Sequence, residues 1–226
     1  MPRAPRKKEE IEEVRNKILD YALNIICNEG YESLTMRKLG DRMGCAAKTI
    51  YNYYNGKEEI YIRILIKGFQ ALNERADEAL KGVVDPVEKL RLLCNVYISF
   101  GLDNVYYYNL MFSWDVPKYT SYLGTYFESA AKEEKDIAMY YAAISEAAIS
   151  EALSGKSSCG NGRGGKVSKK EAIFHLVRLW SALHGYVSLH ISQSFREYNS
   201  NTLQFRERII EEMLTSIKFY GKRGLP

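Results

Sequence analysis

Residues 34–65, LTMRKLGDRMGCAAKTIYNYYNGKEEIYIRIL, decide the fold. Thr35 is a residue type that opens helices, because its hydroxyl can accept a backbone N–H of the first turn. The spacing then predicts a short helix over 36–43, a turn at Gly44 and a second short helix from about Ala46 to Tyr53. Asn55-Gly56 breaks the pattern again. From Lys57 a long helix carries Ile60, Ile64, Leu65, Phe69, Leu72 and Ala76 along one face. Two short helices joined by a glycine-containing turn make a helix-turn-helix, whose second helix can enter the major groove while the first crosses the backbone.

The composition of that stretch suits such a surface. The chain of 226 residues has a formal net charge of only +4, so its total charge argues for no partner. Residues 36–57 are different: Arg37, Lys38, Arg42, Lys48 and Lys57 face a single acid, Asp41. Ala46 and Ala47 are small enough to let a helix N-terminus approach phosphate. Lys48, Thr49 and Asn52 can reach base edges or phosphates. The hydroxyls of Tyr51 and Tyr53 can donate to phosphate oxygens while their rings pack on the scaffold.

Outward from this stretch the chain reads as all helix. Ile11, Val14, Ile18, Ala22 and Ile25 share one face of a first helix, with Glu9, Glu10, Glu12 and Glu13 in its first turns and Gly30 at its stop. Further helices are expected at about 86–102, 104–113, 119–154, 168–195 and 201–220, with Pro86 suiting a first turn. No period-two strand pattern appears. The segment 155–167 is rich in Gly and Ser and reads as a mobile loop. Its Gly160–Lys166 run falls short of a phosphate loop, because Val167 stands where the hydroxyl is needed and no strand precedes it. The organisation expected is a flexible basic arm over 1–9, a three-helix head over 10–56, a connecting helix over 57–81 and a larger helical domain over 82–226.

The quoted stretch resembles the DNA-binding head of the TetR family of bacterial transcription regulators. Thr35, Gly44, Thr49-Ile50-Tyr51-Asn52-Tyr53-Tyr54 and Lys57-Glu58 fill that family's places in register, and the preceding ILDYALNIICNEGYESLT is similar to its first helix. Two positions depart: Ala46 stands where a Ser is common at the cap, and Asn55-Gly56 replaces a Pro- or Lys-containing turn. The resemblance implies double-stranded DNA as partner, contacted by Thr35, Arg37, Lys38, Ala46, Ala47, Lys48, Thr49, Tyr51, Asn52, Tyr53 and Lys57. It also implies a homodimer on a palindromic operator, with a small-molecule effector that releases a repressor.

Residues 176–192, LVRLWSALHGYVSLHIS, resemble a subgroup with a Trp-His-Gly signature, here Trp180, His184 and Gly185. Ile173, Val177, Trp180, His184, Val187 and Ile191 form an apolar stripe there. Ser181, Gly185, Ser188 and Ser192 form a stripe of small residues that admits a close helix neighbour. In the last helix Leu203, Ile210, Leu214, Ile217 and Tyr220 are the expected buried face. The resemblance implies a dimer interface through Ser181, Gly185, Ser188, Ile210, Leu214 and Ile217, although an intrachain core would use these stripes equally well. The aromatic segment 103–127 suggests an effector pocket around Tyr107, Tyr108, Met111, Phe112 and Trp114, with Trp180 and His184. An ordinary helical core has the same composition.

Other functions find little support. Cys27, Cys45, Cys94 and Cys159 are scattered, without the paired spacing of a zinc site, and read as reduced thiols of a cytoplasmic protein. No metal or cofactor is expected. No apolar run of about 18 residues predicts a membrane span, and no catalytic set suggests an enzyme. The alternative reading is a helical small-molecule-binding or interaction protein without a DNA function.

Overall fold

The computed structural model describes residues 8–154, 167–198 and 202–223. Arg3, Arg6 and Lys7 of the expected arm, the loop residues 155–166 and Cys159 lie outside these. Among the described residues there are only helices and turns, which is the all-helical architecture expected. No helix there is long and apolar enough to cross a membrane.

Helix α1 (Lys8–Glu29) buries Ile18, Leu19, Ala22, Leu23, Ile25 and Ile26, while Ile11 stays exposed near its start. Gly30 ends it at φ 86°, a left-handed conformation that an L side chain rarely adopts. A 3-10 turn, Tyr31–Ser33, leads to α2 (Met36–Met43) and α3 (Ala47–Tyr51). The long α4 (Lys57–Leu80) follows. In α5 (Pro86–Asp103), Asp85 accepts the Val87 N–H at 3.0 Å and Pro86 occupies the first turn, as its fixed φ favours.

The aromatic middle is less regular than its periodicity suggests. A short α6 (Val105–Tyr108) runs into a π-helical turn, Asn109–Ser113. The continuous helix expected over 119–154 is broken. Tyr119–Tyr122 form a 3-10 turn, Gly124 takes φ 73°, and α7 starts only at Glu128 (Glu128–Ser154). The Glu128 carboxylate accepts the Gly124 N–H at 2.8 Å and the Thr125 hydroxyl accepts that of Phe127 at 3.2 Å. These side chains satisfy backbone donors at the entry to α7.

Helix α8 (Lys169–Ile191) is capped by Ser168, which accepts the Glu171 N–H. The helix expected to continue to 195 stops at Ser192, because Gln193 adopts φ 60°. The short α9 (Ser194–Tyr198), a 3-10 turn Thr202–Phe205 and α10 (Arg206–Arg223) complete the chain.

Two compact units result. The first comprises residues 1–69 and 106–137, the second 70–105 and 138–226, as far as described. The first has a core of Leu34, Leu39, Ile50, Ile60, Ile64 and Tyr108 around the α1 face. In the second, α8 and α10 both pack on α5, enclosing Leu90, Ile98, Leu183, Val187, Ile210 and Leu214.

Candidate nucleic-acid interface

The helix-turn-helix is fixed by local chemistry. The Thr35 side chain accepts the Lys38 N–H at 3.1 Å and caps α2. Gly44 closes α2 in the left-handed conformation, φ 66°, with its N–H on the Asp41 carbonyl. Ala46 sits at the cap of α3 in extended conformation and supplies no side-chain hydrogen bond, so the departure seen in the sequence leaves that end uncapped.

Gly40 holds the two helices together, and sequence reasoning passed over it. A Cβ at this buried position would lie 2.7 Å from the Cys45 carbonyl oxygen and 3.1 Å from the Ala47 nitrogen. The backbone of the turn occupies the space a side chain would take. Inside a helical run Gly40 gives no local signal of that contact.

The three tyrosines have separate tasks. Tyr54 is buried and part of the scaffold. Its hydroxyl donates to the Arg15 carbonyl at 3.3 Å, and the Arg15 guanidinium lies 5.2 Å from its ring centre. Burial pushes its hydroxyl up to about 12. Arg15 also donates to the Tyr53 carbonyl at 3.2 Å, so α1 grips the exit of α3 twice. Tyr53 is half-buried, whereas Tyr51 is 55% exposed. Thr35, Arg37, Ala46, Lys48, Thr49 and Asn52 are exposed too, and Ala47 is half-buried. The Tyr51 ring stands in solvent and fills no core.

The remaining cations are held from behind. Glu29, the last residue of α1, accepts from Lys38 and, at 3.0 Å, from Arg42. The hydrogen bond from Lys38 holds the Glu29 carboxyl below the usual carboxylate range. Lys57 lies 3.3 Å from Glu32 and 4.7 Å from the centre of the Tyr31 ring. Neither carboxylate was singled out from the sequence, where both sit outside the basic window. Among the described residues, no group of three His, Cys, Asp or Glu side chains is placed to hold a metal ion.

Comparison with known proteins gives the head a family. Residues 18–64 match the model of bacterial regulatory proteins of the TetR family. Residues 90–214, more than half the chain, match the tetracyclin repressor-like C-terminal domain. The chain belongs to the TetR family. It is 31% identical over 83 residues to the fatty acid metabolism regulator protein of Bacillus subtilis (strain 168), covering 37% of this chain and 43% of that protein. It is 30% identical over 81 residues to the HTH-type transcriptional repressor KstR of Mycolicibacterium smegmatis, covering 36% and 40%. The chain thus spans less than half the length of these relatives. The fold extends further. The regulatory protein SCO4313 superposes with a TM-score of 0.70 at 19% identity, over 93% of this chain and 100% of that one. AibR in complex with isovaleryl coenzyme A and operator DNA gives 0.60 at 16% identity, over 89% and 96%.

In this TetR-family chain the other expected residues fall into groups. In the first unit Tyr108 and Met111 are buried, and Tyr107, Phe112 and Trp114 are half-buried. Phe112 meets Phe69 edge-on at 5.7 Å and Tyr108 in a tilted arrangement at 5.3 Å. A Cβ on Gly68 would fall 2.8 Å from both the Met111 sulfur and the Tyr107 ring, so this group packs tightly on α4. In the second unit the Trp180 Nε1–H donates to the Tyr97 hydroxyl at 2.8 Å. That hydroxyl lies 3.5 Å from His184 Nδ1, and Ser188 Oγ lies 3.4 Å from Nε2. Burial holds His184 below the usual histidine range.

The interface expectation needs correction at three residues. Ile210, Leu214 and Ile217 are at most 1% exposed within the single chain. They are this chain's own core and have no surface left to offer. Helix α8 has two apolar sides. Its buried side is Ala172, His175, Leu179, Leu183, Tyr186 and Val187, whereas Ile173, Val177 and Trp180 face outward with Phe174. Ser181 is exposed, Gly185 and Ser188 are half-exposed, and a Cβ on Gly185 would meet nothing within 4 Å.

Proposed function

We propose that this chain is a sequence-specific DNA-binding transcriptional regulator: a homodimeric cytoplasmic repressor, and not an enzyme, released from a palindromic operator by a small-molecule effector. The observation that carries the reading is the exposed face of α2–α3. There Arg37, Lys48, Thr49, Tyr51 and Asn52 stand in solvent on a helix pair locked by Gly40, Gly44 and Tyr54. Lys48 and Thr49 lie nearest the bases, and Tyr51 reaches phosphate. Residues 10–56 read DNA, 57–81 connect, and 82–226 bind the effector and the second copy.

A second copy of the chain is supported by the outward α8 face. Ile173, Phe174, Val177 and Trp180 are each 40–57% exposed along one helix, an apolar surface of the kind that marks an interface. Ser181 and the open Gly185 continue it and let a partner helix approach closely. The effector contacts include the Tyr97–Trp180–His184 group, where hydroxyl and ring nitrogens sit beside apolar rings. Acyl-CoA thioesters are the first probes, given the isovaleryl coenzyme A bound to AibR.

The test is a gel shift with DNA flanking the chain's own gene, against a scrambled duplex, with and without isovaleryl-CoA and longer acyl-CoAs. Retardation of the flanking duplex alone supports the reading. Equal weak retardation of both duplexes would favour the interaction-protein alternative.

A further inference from the structure

Five basic side chains lie within residues 36–57, yet the structure does not present them equally. Lys38 and Arg42 stand four residues apart on one face of α2 and share one carboxylate, Glu29. Lys57 pairs with Glu32 and lies over the Tyr31 ring. Arg37 and Lys48 have no ion pair among the described residues. Two acids at the exit of α1 therefore cancel much of the local positive charge of the head.

Resting on the DNA-binding reading above, we propose that Glu29 and Glu32 are built-in competitors of the DNA phosphates. By holding Lys38, Arg42 and Lys57 they set the affinity of the head below what its cations would otherwise give.

Phosphate binding at these cations is an exchange of partners. An ammonium hydrogen-bonded to a carboxylate has to leave it, or share, to contact a phosphate. The carboxylate left behind then stands near the phosphate backbone and repels it. The pairs are suited to exchange because they are not sealed. The side chains of Lys38, Arg42 and Lys57 retain 33%, 52% and 27% exposure, and that of Glu32 retains 87%. Ion pairs in such surroundings are weak and salt-screened, so phosphate can replace them. A head that must trade partners also releases fewer counterions on binding, which flattens its salt dependence. Sequence preference is untouched, since none of these groups is on α3.

The experiment is fluorescence anisotropy with the full chain and two labelled duplexes, the flanking sequence and its scramble, across a salt series. Glu29→Gln and Glu32→Gln should each bind both duplexes about 2–5-fold tighter at low salt. Each log–log salt slope should steepen by about one phosphate. Folded Glu29→Gln that binds equally or more weakly would overturn the proposal, since the acid would then position Lys38 and Arg42 instead. Should Glu29→Gln fail to fold, the exposed Glu32 decides alone, and unchanged binding of Glu32→Gln overturns it. A wild-type chain that binds neither duplex even at low salt refutes the DNA-binding reading itself.

Discussion

At position 40 a single hydrogen stands where any other residue would place a methyl group against the turn backbone. Gly40→Ala should force α2 and α3 apart and cost about 1–3 kcal/mol, read as a lower melting temperature with DNA binding lost in parallel. A variant as stable as wild type would mean that the turn yields cheaply. The sequence marks Gly44 as the turn because a glycine between two periodic runs is a local signal. Gly40 leaves no such signal, since its cause is a contact five residues away. The tyrosines repeat the lesson. Their clustering pointed to a special surface, but only packing separates the exposed Tyr51 from Tyr54, which is pinned to Arg15. The thiols can be ranked on the same basis. Burial raises Cys27 to about 11 and Cys94 to about 12. Cys45 is half-exposed. At about pH 8 few Cys27 or Cys94 thiolates exist to react. Peptide mapping after brief iodoacetamide treatment should find Cys45 labelled well before those two, and the reverse order would contradict the packing described.

Among the elements, α3 has an end that can be improved. Ala46 already holds the extended conformation of a cap, φ −67° and ψ 144°, but lacks the oxygen. Ala46→Ser should raise stability by roughly 0.5–2 kcal/mol in a thermal melt; no change would mean that its hydroxyl cannot reach the α3 amides. For α8, Gly185 faces open space, so Gly185→Leu should leave the monomer melt intact. If this face carries the partner, sedimentation will show dissociation. A dimer of unchanged strength would place the interface elsewhere. Helices with caps were legible: 36–43 is recovered in full, and α5 begins at Pro86 as read. The breaks at Gly124 and Gln193 were not, because each stop depends on a single residue in a left-handed conformation, which helical periodicity does not register. Which face of α8 is buried was left open by the sequence for a related reason. Both of its sides carry apolar residues, and periodicity alone does not say which one meets the chain's own core.

For the whole molecule, pH and salt report on different units. In the second, burial holds both His175 and His184 below the usual histidine range, with Arg178 adding to the effect at His175. Unfolded, each titrates near its ordinary value of about 6.5. Their contribution to stability is thus complete above that value and is lost as pH falls through the lowered folded values. The melting temperature should drop between about pH 7 and pH 5, and less steeply in His184→Gln; an equal slope in the variant would remove His184 from the account. The proposed reading of DNA rests on the first unit, through the exposed face of α2–α3. The most direct measurement is the affinity of wild type, Lys48→Ala and Tyr51→Phe for the flanking duplex and its scramble at fixed salt. Wild type should prefer the flanking duplex by a factor of about 10³ or more. Lys48→Ala should shrink that preference, and Tyr51→Phe should weaken both complexes alike. Equal affinity of wild type for the two duplexes, or both variants indistinguishable from it, would contradict the account.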